Sequence, residues 1–168
     1  MRKRITSLLL TLVMLLSLVP AMGVTASAAE PEWTTVNSFE ELQTAVKAKK
    51  EYIKLGQDID TSSLTSGVGL TEKDLLYFGY QNFVLDLNGK TLNLYTKLEL
   101  RYFIQVANGS LTIKDGSTAK TGAITGFFGS TTNTAACYFI WVREDSALTL
   151  EGGTFSAQGK PYGTRVTA

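Results

Sequence analysis

The residues able to do chemistry in this chain of 168 residues are few and scattered. There is no histidine, so the commonest proton shuttle and metal ligand at neutral pH is missing. The aspartates, Asp58, Asp60, Asp74, Asp86, Asp115 and Asp145, fall singly or in pairs along the chain. None opens the aspartate-rich, glycine-containing loop that wraps a calcium ion. A glycosidase needs two carboxyl groups at a set separation. Folding can bring distant acids together, but nothing in the spacing selects a pair. Asp115-Gly116 and Glu151-Gly152 read instead as turn residues. The single cysteine, Cys137, rules out an intrachain disulfide, and beside Tyr138, Phe139 and Ile140 it reads as a small core residue rather than a reactive thiol. No cofactor and no metal are expected, and no catalytic residue is assigned.

One surface is suggested by alternation. Apolar pairs one residue apart recur as Leu85/Leu87 and Leu92/Leu94, as Ile104/Val106 and Leu111/Ile113, and as Ile140/Val142 and Leu148/Leu150, with Asn-Gly, Asn-Gly and Glu-Asp-Ser between the members of each set. If Leu85/Leu87, Ile104/Val106 and Ile140/Val142 point inward, then Asp86, Gln105 and Trp141 point outward at equivalent places. They are expected to form a column up one sheet, with Arg143 beside it. An indole flanked by hydrogen-bonding and charged groups suits a sugar or a protein ligand, because a ring supplies contact area at little entropic cost. Asp86, Gln105, Trp141 and Arg143 are therefore the candidate ligand-binding face. The alternative is that Trp141 is covered by the stretch 61–82 or by an inserted loop.

The elements that would position this face are short strands. A period of two with branched and aromatic side chains is a strand signature, not a helical one. Leu94 to Ile113 spans 19 residues and Ile113 to Leu150 spans 37, close to double. Further apolar segments, Leu98/Leu100, Gly122–Phe127 and Gly153–Ala157, supply a third strand to each copy. Three strands per unit, repeating at about twenty residues with polar insertions at Ser117–Thr121 and Ser130–Thr134, suit a solenoid whose rungs bury one another. A meander of hairpins competes, because Asn88-Gly89 and Asn108-Gly109 are strong two-residue hairpin turns, but it leaves the third strand and the recurrence unexplained.

Before the repeat, Phe39, Leu42, Ala45 and Val46 have helical spacing behind a Ser38 cap, which predicts a helix from about Ser38 to Lys49. Lys47, Lys49 and Lys50 suit the last turn of that helix better than an anionic ligand. Tyr52 to Ile59 alternates as a strand. Residues 61–82 read as a long excursion with little regular structure. The domain plan is thus a signal peptide at 1–29, a cap with a short helix at 30–50, rungs at 51–157 and a tail at 158–168.

The signal reading rests on Arg2, Lys3 and Arg4, an apolar run from Leu8 to Val19 that closes at Pro20, and Ala26-Ser27-Ala28-Ala29 at the spacing a signal peptidase reads. The run falls short of the ~20 residues of a membrane span. Cleavage would leave thirteen basic and fifteen acidic side chains, a net charge of −2. That balance gives no electrostatic reason to bind nucleic acid. At the other end no capping helix follows Ala157, so association through an uncapped last rung, or continuation into a longer protein, is expected.

The phrases Leu85-Asp86-Leu87-Asn88-Gly89-Lys90-Thr91-Leu92, Leu111-Thr112-Ile113-Lys114-Asp115-Gly116 and Leu148-Thr149-Leu150-Glu151-Gly152-Gly153-Thr154-Phe155 resemble the right-handed parallel β-helix of pectin-lyase-like proteins. They are most similar to its secreted, surface-associated bacterial members, over about residues 33–157. The resemblance implies an all-β, short right-handed single-stranded parallel β-helix with an N-terminal capping helix. Enzymes of that family use clustered acids with calcium and an Arg or Lys base, or aspartates with a histidine, and neither set is evident here. The expectation is therefore a secreted or cell-surface module, adhesin-like or glycan-binding and without catalysis, whose partner is an extracellular polysaccharide or a surface protein. A polysaccharide lyase or hydrolase and a structural spacer are the alternatives, since one fold hosts many functions.

Overall fold

Strand alternation is answered by strands that all run parallel. The computed structural model describes residues 30–129 and 138–159, and the elements below belong to the unit that starts at Pro31. In chain order they are β1 (Thr34–Val36), α1 (Phe39–Lys47), β2 (Tyr52–Leu55), β3 (Ile59–Asp60), β4 (Leu76–Gly79), β5 (Asn82–Asp86), β6 (Thr91–Thr96), β7 (Tyr102–Ala107), β8 (Ser110–Lys114), β9 (Ala123–Phe128), β10 (Tyr138–Val142), β11 (Ala147–Leu150) and β12 (Thr154–Gly159).

They form three sheets: β1-β2-β5-β8-β11, then β3-β6-β9-β12, then β4-β7-β10. Every strand pair is parallel. The chain visits the first, second and third sheets in turn and begins again, making a β-solenoid of about 3 turns.

Inward residues of successive rungs stack on their own kind. Ile53, Leu85 and Ile113 share one column of the first sheet. Ile59, Leu92, Ile124 and Phe155 share one of the second, and Leu76, Ile104 and Ile140 one of the third. All but Phe155 of these are buried, and burying each such side chain stabilises by about 1.5–3 kcal/mol. One inward position must stay empty. A Cβ on Gly126 would lie 2.7 Å from the Phe139 ring and 3.2 Å from that of Phe103.

The helix closes the first rung as expected. Ser38 accepts a hydrogen bond from Glu41 N at 3.1 Å, the Glu41 carboxylate accepts one from Asn37 N at 2.7 Å, and Phe39, Leu42, Ala45 and Val46 are buried. No helix among the described residues is long and apolar enough to cross a membrane.

Three sequence expectations are corrected. The repeat is not about twenty residues: Asn82 meets Ser110 after 28 and Asn93 meets Thr125 after 32. Leu85/Leu87 accordingly stack with Ile113 and its neighbours, while Ile104/Val106 stack with Leu76/Phe78 and Ile140/Val142 in another sheet. Leu98 and Leu100 form no strand, and the supposed excursion 61–82 contains β4, a full member of the third sheet. Its other residues also have a role. Leu70 N donates to Tyr95 O and Lys97 N to Val68 O, so residues 68–70 bond the end of β6.

The hairpin reading fails at the turns it relied on. Asn88 and Asn108 do have left-handed φ of 51° and 54°, but each turn passes the chain from one sheet to the next. The expected insertion at Ser117–Thr121 lies in the loop between β8 and β9. Cys137, the expected insertion at Ser130–Thr134, the expected signal peptide at 1–29 and the expected tail from residue 160 onward lie outside the described residues.

Candidate functional site

The third sheet carries an aromatic outer face. Its strands alternate, so the inward Leu76/Phe78, Ile104/Val106 and Ile140/Val142 leave Tyr77, Gln105 and Trp141 outward and in register. Tyr102 and Tyr138 pair at the start of the same strands, where alternation breaks: Phe103 and Phe139 are buried next to the buried Ile104 and Ile140, and the two tyrosine rings reach Trp141 instead. The Trp141 ring lies 5.2 Å from that of Tyr102 and 6.3 Å from that of Tyr138, the latter stacked at 21°. Trp141 is half-buried among these rings. Gln105, at 7 % exposure, lies between Tyr77 and Trp141 in the column.

Cations stand at both ends of the strip. The Arg143 guanidinium is 5.6 Å from the Trp141 centroid, and the Lys49 ammonium 5.8 Å from that of Tyr80. Both distances allow a cation–π attraction, which also fixes the flexible side chains over the rings. Tyr77 and Tyr80, with centroids 6.3 Å apart, are exposed at 39 % and 66 %. Burial, together with the hydrogen bond and charge of Tyr80, pushes the Tyr77 phenol above its ordinary value, against the pull of Arg143 and Asn108. Beside Trp141 a cleft of about 440 Å³ is lined by Asn108, Val142, Arg143, Glu144 and Asp145. Exposed rings flanked by an amide, a guanidinium and carboxylates can stack on and hydrogen-bond a ligand.

Asp86 does not belong to this face. It lies in the first sheet, opposite Lys54 and Lys114, and is 6 % exposed. Its Oδ1 accepts from Asn88 N at 2.8 Å and from Gly116 N at 2.7 Å, joining the turn of its own rung to that of the next. Asp115 returns the bond. Its Oδ1 accepts from Gly89 N at 2.8 Å and Ser117 N at 3.0 Å, and its Oδ2 from Gly122 N at 2.6 Å. Burial pushes the Asp115 carboxyl up, but the bonds from Ser117, Gly122 and Gly89 together outweigh it and hold the group at about 2. These two acids are spent on backbone N–H groups. Among the described residues no three histidine, cysteine or acidic side chains are grouped to hold a metal.

Of the four residues chosen from sequence, the structure thus brings Gln105, Trp141 and Arg143 together and separates Asp86. It adds Tyr77, Tyr80, Tyr102 and Tyr138. The missed signal was the triplet Tyr-Phe-Ile, which occurs at both 102–104 and 138–140 and puts the two tyrosines in register. No protein-family model, curated protein or solved structure matches the chain.

Proposed function

We propose that this chain is a secreted or cell-surface β-helix module of the right-handed, pectin-lyase-like kind, which binds an extracellular glycan without cleaving it. The observation that supports this best is the outward column Tyr77–Gln105–Trp141, with Tyr102, Tyr138 and Arg143 around the indole. Sugars present apolar C–H faces and polar edges, and rings beside hydrogen-bonding groups meet both needs. The three all-parallel sheets favour the β-helix comparison, and the basic-then-apolar leader favours export. A non-catalytic role agrees with the use of Asp86 and Asp115 as turn fasteners.

The test is a glycan-array screen of the chain from Glu30, with calcium and with chelator, scoring product release in the same wells. Binding without product, weakened at least about tenfold in Trp141→Ala, is the expected result. Calcium-dependent product would make the protein an enzyme. Silence on the whole array would leave it a spacer.

A further inference from the structure

The second sheet has an outer face of a different kind, and we propose that it is an independent site for an uncharged, hydroxyl-rich chain, a neutral oligosaccharide lying across the rungs. Its central feature is a column in strict register. Asp60 is opposite Asn93, Asn93 opposite Thr125, and Thr125 opposite Ser156. Thr125 Oγ1 donates to Asn93 Oδ1 at 2.8 Å, and the Asn93 side chain in turn bonds the Asp60 carboxylate. The Ser62 backbone N–H, at 2.7 Å from Oδ1, does most to hold that carboxyl below its ordinary value. The ladder therefore has a direction, hydroxyl to amide to carboxylate, and repeats at the rung spacing of about 4.8 Å.

An apolar ridge runs beside the ladder. Tyr95 and Phe127 occupy the next outward column, with rings stacked at 5.1 Å and 4°, and Gln158 continues it. Along the ladder, reaching Phe127 and Gln158, lies a cleft of about 390 Å³ whose lining includes Asp58, Asp60, Asn93, Thr125, Phe127 and Gln158. This is not the composition of an ordinary solvated sheet face, which is kept soluble by charge. The outward residues of β6, β9 and β12 are Thr91, Asn93, Tyr95, Ala123, Thr125, Phe127, Thr154, Ser156 and Gln158, none of them charged. The first sheet, by contrast, presents Lys54 and Lys114.

The ligand class follows from the groups on offer. Thr125 already donates its one hydroxyl hydrogen bond to Asn93, so its oxygen is left to accept; Asp60 accepts as well; Ser156 and Gln158 both donate and accept. A chain of hydroxyls satisfies all of these. No lysine or arginine lines the cleft, while Asp58 and Asp60 stand at one end of it, so a carboxylate-bearing sugar is repelled rather than held. The site shares no residue with the aromatic face of the third sheet, and it does not depend on the function proposed for that face.

Calorimetric titration of the chain from Glu30 with neutral hexasaccharides of glucose, xylose, mannose and galactose, and with a hexagalacturonate, decides the matter. At least one neutral hexamer is expected to bind, more tightly than the hexagalacturonate. Thr125→Val and Phe127→Ala should each weaken that binding about tenfold or more and Thr125→Ser should retain it; circular dichroism confirms that each variant is folded. Binding of the hexagalacturonate in preference, binding unchanged in both Thr125→Val and Phe127→Ala, or no neutral hexamer bound would each overturn the proposal.

Discussion

At the scale of single residues, a side chain's direction and its use are separate questions. Alternation places Asp86 outward, as the flanking buried Leu85 and Leu87 require. What alternation could not show is that an aspartate next to a turn is captured by the turn's N–H groups. Asp86 and Asp115 tie adjacent rungs through Gly116 and Gly89, and a Cβ on Gly116 would lie 2.3 Å from Asp86 Oδ2. Asp115→Asn tests the tie. An amide there can still accept from Gly89 and Ser117, but it sets an NH2 group against Gly122 N–H and leaves that buried donor unpaired, at about 1–3 kcal/mol. The pH dependence has a definite sign. With Asp115 lowered from 3.8 to about 2 in the fold, its contribution is complete above the unfolded value and is lost as pH falls from about 4 toward 2. Urea midpoints measured across that window should fall for the native chain and fall less steeply for Asp115→Asn. Parallel slopes would show that other acids govern the acid response.

At the scale of elements, some features were legible and others were not, for a physical reason. Helix α1 was legible because a capping serine, early acids and a buried stripe at helical spacing all agree. The strands were legible from period two. Their partners were not, because all three sheets of a rung use the same apolar-x-apolar phrase. Phe83/Leu85 therefore resembles Ile104/Val106 further along its own turn as closely as it resembles Leu111/Ile113 directly above. That ambiguity put Asp86 in the wrong column and hid β4, whose Leu-Tyr-Phe-Gly is the rung below Tyr102–Ala107. Gly126 shows the register from inside: it takes Leu94's place one rung up because the Phe103 and Phe139 rings fill the space. Gly126→Ala should therefore destabilise by about 1–3 kcal/mol through overpacking, despite alanine's better strand entropy. A thermal melt unchanged by the substitution would mean that the rings yield without cost.

At the scale of the whole molecule, a solenoid has no single centre. Each rung touches only the rungs above and below, so stability is close to a sum of rung and interface contributions. Strands β5 to β9 have a parallel neighbour on both sides, and α1 covers the first turn. Among the described residues β10, β11 and β12 have a neighbour on one side only, and there the core thins: Val142, Leu148 and Phe155 are only partly buried, and Leu150 is 42 % exposed. Local opening free energy follows such differences in packing. Native-state hydrogen exchange should thus show the strongest protection in β5 to β8 and the weakest in β11 and β12, with intermediate protection in β10. The gradient matters for both proposed faces, since Trp141 sits on β10 and Ser156 and Gln158 on β12. A glycan that spans rungs, by bridging β12 to β9 and β6, would slow exchange most at the weak end. Equal protection of β12 and β6 without ligand would mean that a further layer already covers the last strands, and concentration dependence of that protection would identify the layer as a second copy of the chain.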